Sequence, residues 1–81
     1  MLAIKILGSG CANCKRLEQI THKVVEQLGI QAEVVKVTDP TQYADYGVMM
    51  TPGLVINDKT VSSGRVPSMA EVTSFVTSAL V

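Results

Sequence analysis

The 81 residues are expected to form one domain, residues 1–81, with a small core and a thin stability margin. Seven basic residues balance seven acidic ones without any run of like charge, so the basic face that nucleic-acid binding requires is missing. A hydrophobic fraction of 47% suits a compact fold, and no apolar run nears the about eighteen residues that span a bilayer.

Residues 2–7, LAIKIL, are apolar except for Lys5 and predict a short strand. The same run is too short for a secretory h-region, and Lys5 interrupts it, so a cytoplasmic protein is expected. Gly8-Ser9-Gly10 reads as a loop. From Cys11 a helical pattern runs to Leu28, and Gly29 stands where a helix-ending glycine belongs. Cys14, Leu17, Ile20, Thr21, Val24, Val25 and Leu28 fall on one stripe of that helix, facing away from the charged residues.

IQAEVVKV, residues 30–37, is a β-branched run that predicts a second strand. Asp39-Pro40-Thr41-Gln42 is a helix start, with Asp39 as N-cap and Pro40 in the first helical position. Gly47 stops this helix after Tyr46, and Tyr43 and Tyr46 are expected to cap the sheet. GLVIN, residues 53–57, predicts a third strand buried on both faces. Asn57-Asp58-Lys59 turns it into a fourth, Thr60 to Ser63. Ser68-Met69-Ala70-Glu71 is a capping box for a final helix that reaches about Leu80. The order is β-α-β-α-β-β-α. The first two strands are parallel through a right-handed crossover, and the hairpin makes the sheet mixed.

The only cysteines, Cys11 and Cys14, lie in GSGCANCK at the start of the first helix. A structural staple is disfavoured, because so small a loop removes only about 2 kcal/mol of unfolded-state entropy and a cytosol keeps thiols reduced. The placement suits chemistry better. Residues i and i+3 lie side by side on a helix, within reach of a disulfide. The helix start offers unpaired N–H groups and a positive dipole end, which stabilise a thiolate. The stripe puts Cys14 on the buried face and Cys11 at the exposed end, and an exposed attacking thiolate backed by a shielded thiol is what disulfide exchange needs.

With Thr51-Pro52 before the third strand, these residues resemble the thioredoxin fold. GSGCANCKRLE, YGVMMTPGLVIND and GRVPS together resemble the small thioredoxin/glutaredoxin-like redox-active disulfide proteins across essentially the whole chain. The resemblance implies a disulfide oxidoreductase acting on a protein substrate without a cofactor, as a monomer. It makes Cys11 the nucleophile and Cys14 the resolving thiol. Thr51, Pro52 and Gly64 are its substrate-binding residues, with the Thr51 backbone offered to an extended substrate. It also implies a cis bond before Pro52, which sequence alone would not suggest, since only about 5% of X-Pro bonds are cis.

The chain departs from better-known relatives at several positions. Gly10 replaces a Trp of thioredoxins, Ala12-Asn13 replaces their Gly-Pro, and Lys5 stands near the strand position of a buried acid. The Gly-Gly-x-Asp of glutaredoxins is reduced to Gly64-Arg65. A reductase of the flavin-dependent thioredoxin-reductase type is therefore expected as electron donor in preference to glutathione.

The competing reading is a copper or zinc carrier, because soft thiolates select such metals. Small copper-chaperone domains also place Cys-x-x-C after their first strand, but their order ends in a strand and they lack the Thr-Pro. His22, about 16 Å from Cys11 along the helix axis, is read as a solvated residue. Met49 and Met50 are read as core or rim packing in preference to metal ligands. Lys5 is read either as a snorkelling strand residue or as part of the site.

Overall fold

The computed structural model describes residues 1–80. Strand β1 (Leu2–Leu7) leads through a short loop into helix α1 (Ala12–Leu28), then β2 (Ala32–Val37). Helix α2 (Pro40–Tyr43) runs on into a 3-10 turn (Ala44–Tyr46), followed by β3 (Gly53–Ile56), β4 (Lys59–Ser63) and helix α3 (Met69–Ala79). The four strands form one sheet in the order β2-β1-β3-β4. β1 pairs with β2 in parallel, and β3 pairs antiparallel with both β1 and β4. The expected mixed α/β sheet with its β-α-β-α-β-β-α order is what forms.

Alternation in β1 divides its side chains between two cores. Leu2, Ile4 and Ile6 pack with Leu54 and Ile56 of β3 against Leu17 and Val24 of α1 and Val72 and Val76 of α3. Each such side chain, fully buried, contributes about 1.5–3 kcal/mol. Leu7 faces the other way with Val37, Val48 and Val55, where Tyr43 and Tyr46 cover them. β3 is buried at every position, as its unbroken apolar run predicts.

The helix boundaries follow local chemistry. The α1 stripe is buried at Cys14, Leu17, Thr21 and Val24, and the Thr21 hydroxyl satisfies itself by donating to the Leu17 carbonyl at 2.8 Å. Gly29 and Gly47 end their helices in the left-handed region, at φ 63° and 69°. The Asp39 carboxylate caps α2 by accepting from the Thr41 N–H at 3.0 Å.

Three edges differ from expectation. β2 begins at Ala32, not Ile30, because the chain leaving Gly29 is still turning; only the Gln31 carbonyl reaches β1, accepting from Leu2 N–H at 3.1 Å. The hairpin turn is two residues, Asn57-Asp58, both with positive φ of 51° and 66°, which suits the twist of the flanking strands. Lys59 therefore belongs to β4, and Asn57 to the turn rather than to β3. Asn57 also fastens the turn to β1, donating its N–H to Ala3 O at 2.8 Å and accepting from Ala3 N at 3.0 Å.

The capping box of α3 forms in full, and Arg65 joins it by two hydrogen bonds to Glu71, at 3.2 and 2.7 Å. The Arg65 guanidinium first, and the Ser68 N–H second, pull the Glu71 carboxyl from 4.5 down to about 2. A depressed folded-state value means stability that is fully present above 4.5 and is lost as the pH falls toward 2. Thermal melts between those limits are expected to fall less steeply for Glu71→Gln than for the wild type. Parallel curves for the two proteins would contradict this.

Candidate functional site

Cys11 is the N-cap of α1: its backbone is extended, and its sulfur accepts the Cys14 N–H at 3.1 Å. A sulfur in the cap position thus meets one of the orphan amides of the helix start, the interaction that favours a thiolate there. The two cysteines are joined as a disulfide with their Cα atoms 5.0 Å apart. Cys11 is exposed and Cys14 is 5% exposed, so the asymmetry read from the helical stripe is present.

Gly8, buried at the end of β1, is the residue against which the site closes. A side chain there would run into Cys14 Sγ, 3.1 Å from Cys14 Cβ and 3.8 Å from Thr51 Cβ. Gly8 is therefore the gap through which the dithiol and the Thr51-Pro52 segment approach each other. Nothing local signals contact with a residue forty positions away, so the sequence alone places Gly8 in a loop; a glycine at a close backbone approach is the one hint.

The Thr51-Pro52 bond is cis, as the resemblance implied. Thr51 is exposed, Pro52 is fully buried, and the Pro52 carbonyl accepts from the Gly64 N–H at 3.0 Å. Gly64, at φ 76°, lies under Met50: a Cβ there would be 3.3 Å from Met50 Cβ. All five residues singled out from sequence, Cys11, Cys14, Thr51, Pro52 and Gly64, thus lie at one end of the sheet.

Other residues sort differently. Lys5 is not at the dithiol: its Nζ donates to the Tyr46 hydroxyl at 2.6 Å and reaches Asp58 Oδ1 at 3.3 Å. These two contacts, Tyr46 first, raise its pKa. The ammonium is 5.0 Å from the Tyr46 ring centre. With the hydroxyl so near, it sits beyond the ring edge and not over the face, so the hydrogen bond carries the contact and a cation–π term does not. His22 is exposed, 3.8 Å from Glu18. Met49 and Met50 are not core: they are 96% and 69% exposed.

A pocket of about 270 Å³ opens beside Cys14 between the Gly8–Gly10 loop, α1 and the end of β2, lined also by Lys15, Glu18 and Lys36. Lys36 Nζ stands 3.6 Å from Glu18 Oε2 in it. Among the described residues no three His, Cys, Asp or Glu side chains converge to hold a metal, and no helix is long and apolar enough to cross a membrane.

Comparison with known proteins agrees with this geometry. Residues 2–77 match a family model described as "Thioredoxin domain". A protein named thioredoxin from Methanocaldococcus jannaschii is 43% identical over 72 residues, 89% of this chain and 83% of that protein. Another protein named thioredoxin, from Methanothermobacter thermautotrophicus, is 39% identical over 72 residues, 89% of this chain and 94% of that protein. A solved structure described as "Structure of a malarial protein" superposes with a TM-score of 0.74, covering 100% of this chain and 99% of that one at 14% identity, which bears on fold alone. A dithiol at a helix start beside a Thr-Pro segment, in a chain this close to such relatives, is the apparatus of thiol–disulfide exchange, and the chain belongs to the thioredoxin domain family.

Proposed function

We propose that this thiol–disulfide oxidoreductase attacks protein disulfides through Cys11 and resolves the mixed disulfide through Cys14. The observation that carries this reading is the unequal exposure of two sulfurs at one helix start, one capping the Cys14 amide and one shielded. Cys11 Sγ bonds to a sulfur of the substrate disulfide as that bond breaks, and the second substrate sulfur leaves as a thiolate. Cys14 loses its proton to solvent and displaces the first sulfur from Cys11, so two electrons pass to the substrate and the Cys11–Cys14 disulfide forms. Thr51, Pro52 and Gly64 hold the substrate segment. The Thr51 N–H and C=O make no hydrogen bond within the protein among the described residues, which leaves both for an extended chain.

The electron donor is a flavin-dependent thioredoxin-reductase-type protein in preference to glutathione, and the setting is the cytoplasm, where a reductant keeps the dithiol charged. Glutathione carries two carboxylates that need cationic partners. Arg65, the cation next to Gly64, is already engaged twice by Glu71, which supports a donor recognised through backbone contacts. The copper or zinc carrier reading is not favoured by the family match.

The test follows reduction of the oxidised protein by excess glutathione beside a thioredoxin reductase with NADPH. Rapid reduction is expected only with the reductase. Rapid reduction by glutathione, with stable glutathionylation of Cys11 in Cys14→Ser, would overturn the donor assignment while keeping the dithiol mechanism. Reduction by neither, with tight Cu(I) binding, would favour the carrier.

A further inference from the structure

Before Cys14 can displace the substrate it must lose a proton, yet it is only 5% exposed and lies in the apolar stripe with Leu17 and Val24. Burial of that kind favours the neutral thiol. The way out for the proton is the pocket of about 270 Å³ that opens beside Cys14, with room for several water molecules. Among the residues that line it, Glu18 is the one carboxylate. It follows Cys14 by four residues, so the two lie about 40° apart around α1, and helix side chains lean toward the helix start. Glu18 therefore reaches back toward Cys14. Its side chain is 27% exposed, and its oxygens stand 3.6 Å from Lys36 Nζ on β2 and 3.8 Å from His22 Nε2, both beyond hydrogen-bond length. Lone pairs remain for water. The strand beneath α1 offers no alternative, since the β1 side chains on that face are Leu2, Ile4 and Ile6. The Asp39 carboxylate, just past the end of β2, is taken up by the Thr41 N–H and hydroxyl.

We propose that Glu18 is the proton acceptor for Cys14 in the resolving step, acting through water in this pocket. The inference rests on the assignment of Cys14 as resolving thiol. The Cys14 proton passes along water to the Glu18 carboxylate, and the Cys14 thiolate bonds to Cys11 Sγ. The bond from Cys11 to the substrate breaks, its electron pair leaving on the substrate sulfur. That thiolate takes a proton from solvent, and Glu18 returns its own through the mouth of the pocket. Two cations, Lys15 of α1 and Lys36 of β2, line the same pocket and represent the competing account. They would hold a Cys14 thiolate without any acceptor, and a carboxylate beside them would only weaken that hold. The two accounts give opposite signs for removing the charge of Glu18.

The test is stopped-flow mixing of reduced protein with neutral 4,4′-dithiodipyridine, whose released thiopyridone is read by absorbance. Attack by Cys11 releases a first equivalent at a rate that rises with reagent concentration. Attack by Cys14 on the Cys11 adduct releases a second at a rate that does not. Cys14→Ser should release the first equivalent alone. Glu18→Gln should leave the first phase as in the wild type and slow the second at pH 7 by at least about tenfold, below the usual range of a positioned base because water intervenes. The wild-type second phase should vary little from pH 6 to 8, whereas that of Glu18→Gln should rise by up to about tenfold per pH unit as hydroxide replaces the carboxylate. Glu18→Asp should keep the shallow profile. A second phase in Glu18→Gln as fast as the wild type or faster would overturn the proposal in favour of Lys15 and Lys36. A slowed phase with the wild-type pH profile would overturn it too, leaving Glu18 a packing role. Release of both equivalents by Cys14→Ser would instead overturn the resolving role of Cys14, and this inference with it.

Discussion

Cys11→Ser is expected to lower disulfide exchange by at least about a hundredfold, the scale on which loss of an attacking group is felt. Cys14→Ser is expected to carry out the first half of the reaction and stop, leaving the substrate bonded to Cys11. The difference comes from placement. Cys11 sits at the open end of α1 with its sulfur on the Cys14 amide, whereas Cys14 lies in the stripe with Leu17 and Val24. A free substrate disulfide can reach the first sulfur and not the second. Incubation in a lysate followed by non-reducing electrophoresis separates the two variants: captured adducts with Cys14→Ser and none with Cys11→Ser. Adducts on the Cys11→Ser variant would reverse the roles, and the captured partners would identify the physiological substrate.

The second large effect is expected at Gly8, with no change in any sulfur. Gly8→Ala removes backbone freedom from the unfolded chain, which by itself stabilises by about 0.4–1 kcal/mol. Against this stands a methyl group forced onto Cys14 Sγ and 3.1 Å from its Cβ, in a site also bounded by Thr51. Overpacking of that kind costs about 1–3 kcal/mol, so a net loss is expected, with a fall in Tm on the order of 10 °C for a domain this size. The loss should be larger in the oxidised protein. Its Cys14 sulfur is tethered to Cys11, whereas a free thiol can turn away from the intruding methyl. Melting curves of both variants in both states, and the equilibrium of each with the glutathione couple, measure this. An oxidised Gly8→Ala protein as stable as the wild type would show that the loop simply moves aside.

Much of the local structure was legible because it depends on residues within a turn of one another. The Cys11 start of α1, the Asp39-Pro40 start of α2 and the Ser68–Glu71 capping box are decided by a side chain reaching an amide two or three residues away. The left-handed stops at Gly29 and Gly47 are decided by the absence of a Cβ. The same local logic gave the unequal burial of Cys11 and Cys14. The cis bond before Pro52 and the place of Thr51 and Gly64 beside the dithiol were not local at all; they came from family resemblance. Spacing and periodicity are silent on both.

What remained for the tertiary structure was every choice between partners distant in the chain. Each strand's type could be read, but not that β3 would lie against β1 and leave β2 and β4 as edges, because many apolar runs can pair and only joint packing of both faces chooses among them. Met49 and Met50 read as core or rim packing, yet both stand in solvent, while their neighbour Val48 takes the core position with Leu7, Val37 and Val55. Lys5 could have joined the site or snorkelled from its strand; Tyr46 and Asp58, from two other parts of the chain, hold it away from the dithiol. Arg65 is tied to Glu71 of α3 by two hydrogen bonds that its place in a loop does not announce. Where helices start and stop, and which thiol is exposed, follow from residue order alone, since those energies are short-ranged in the chain. Which elements meet around that thiol was decided only on folding, because burial and long-range ion pairs depend on the whole arrangement at once.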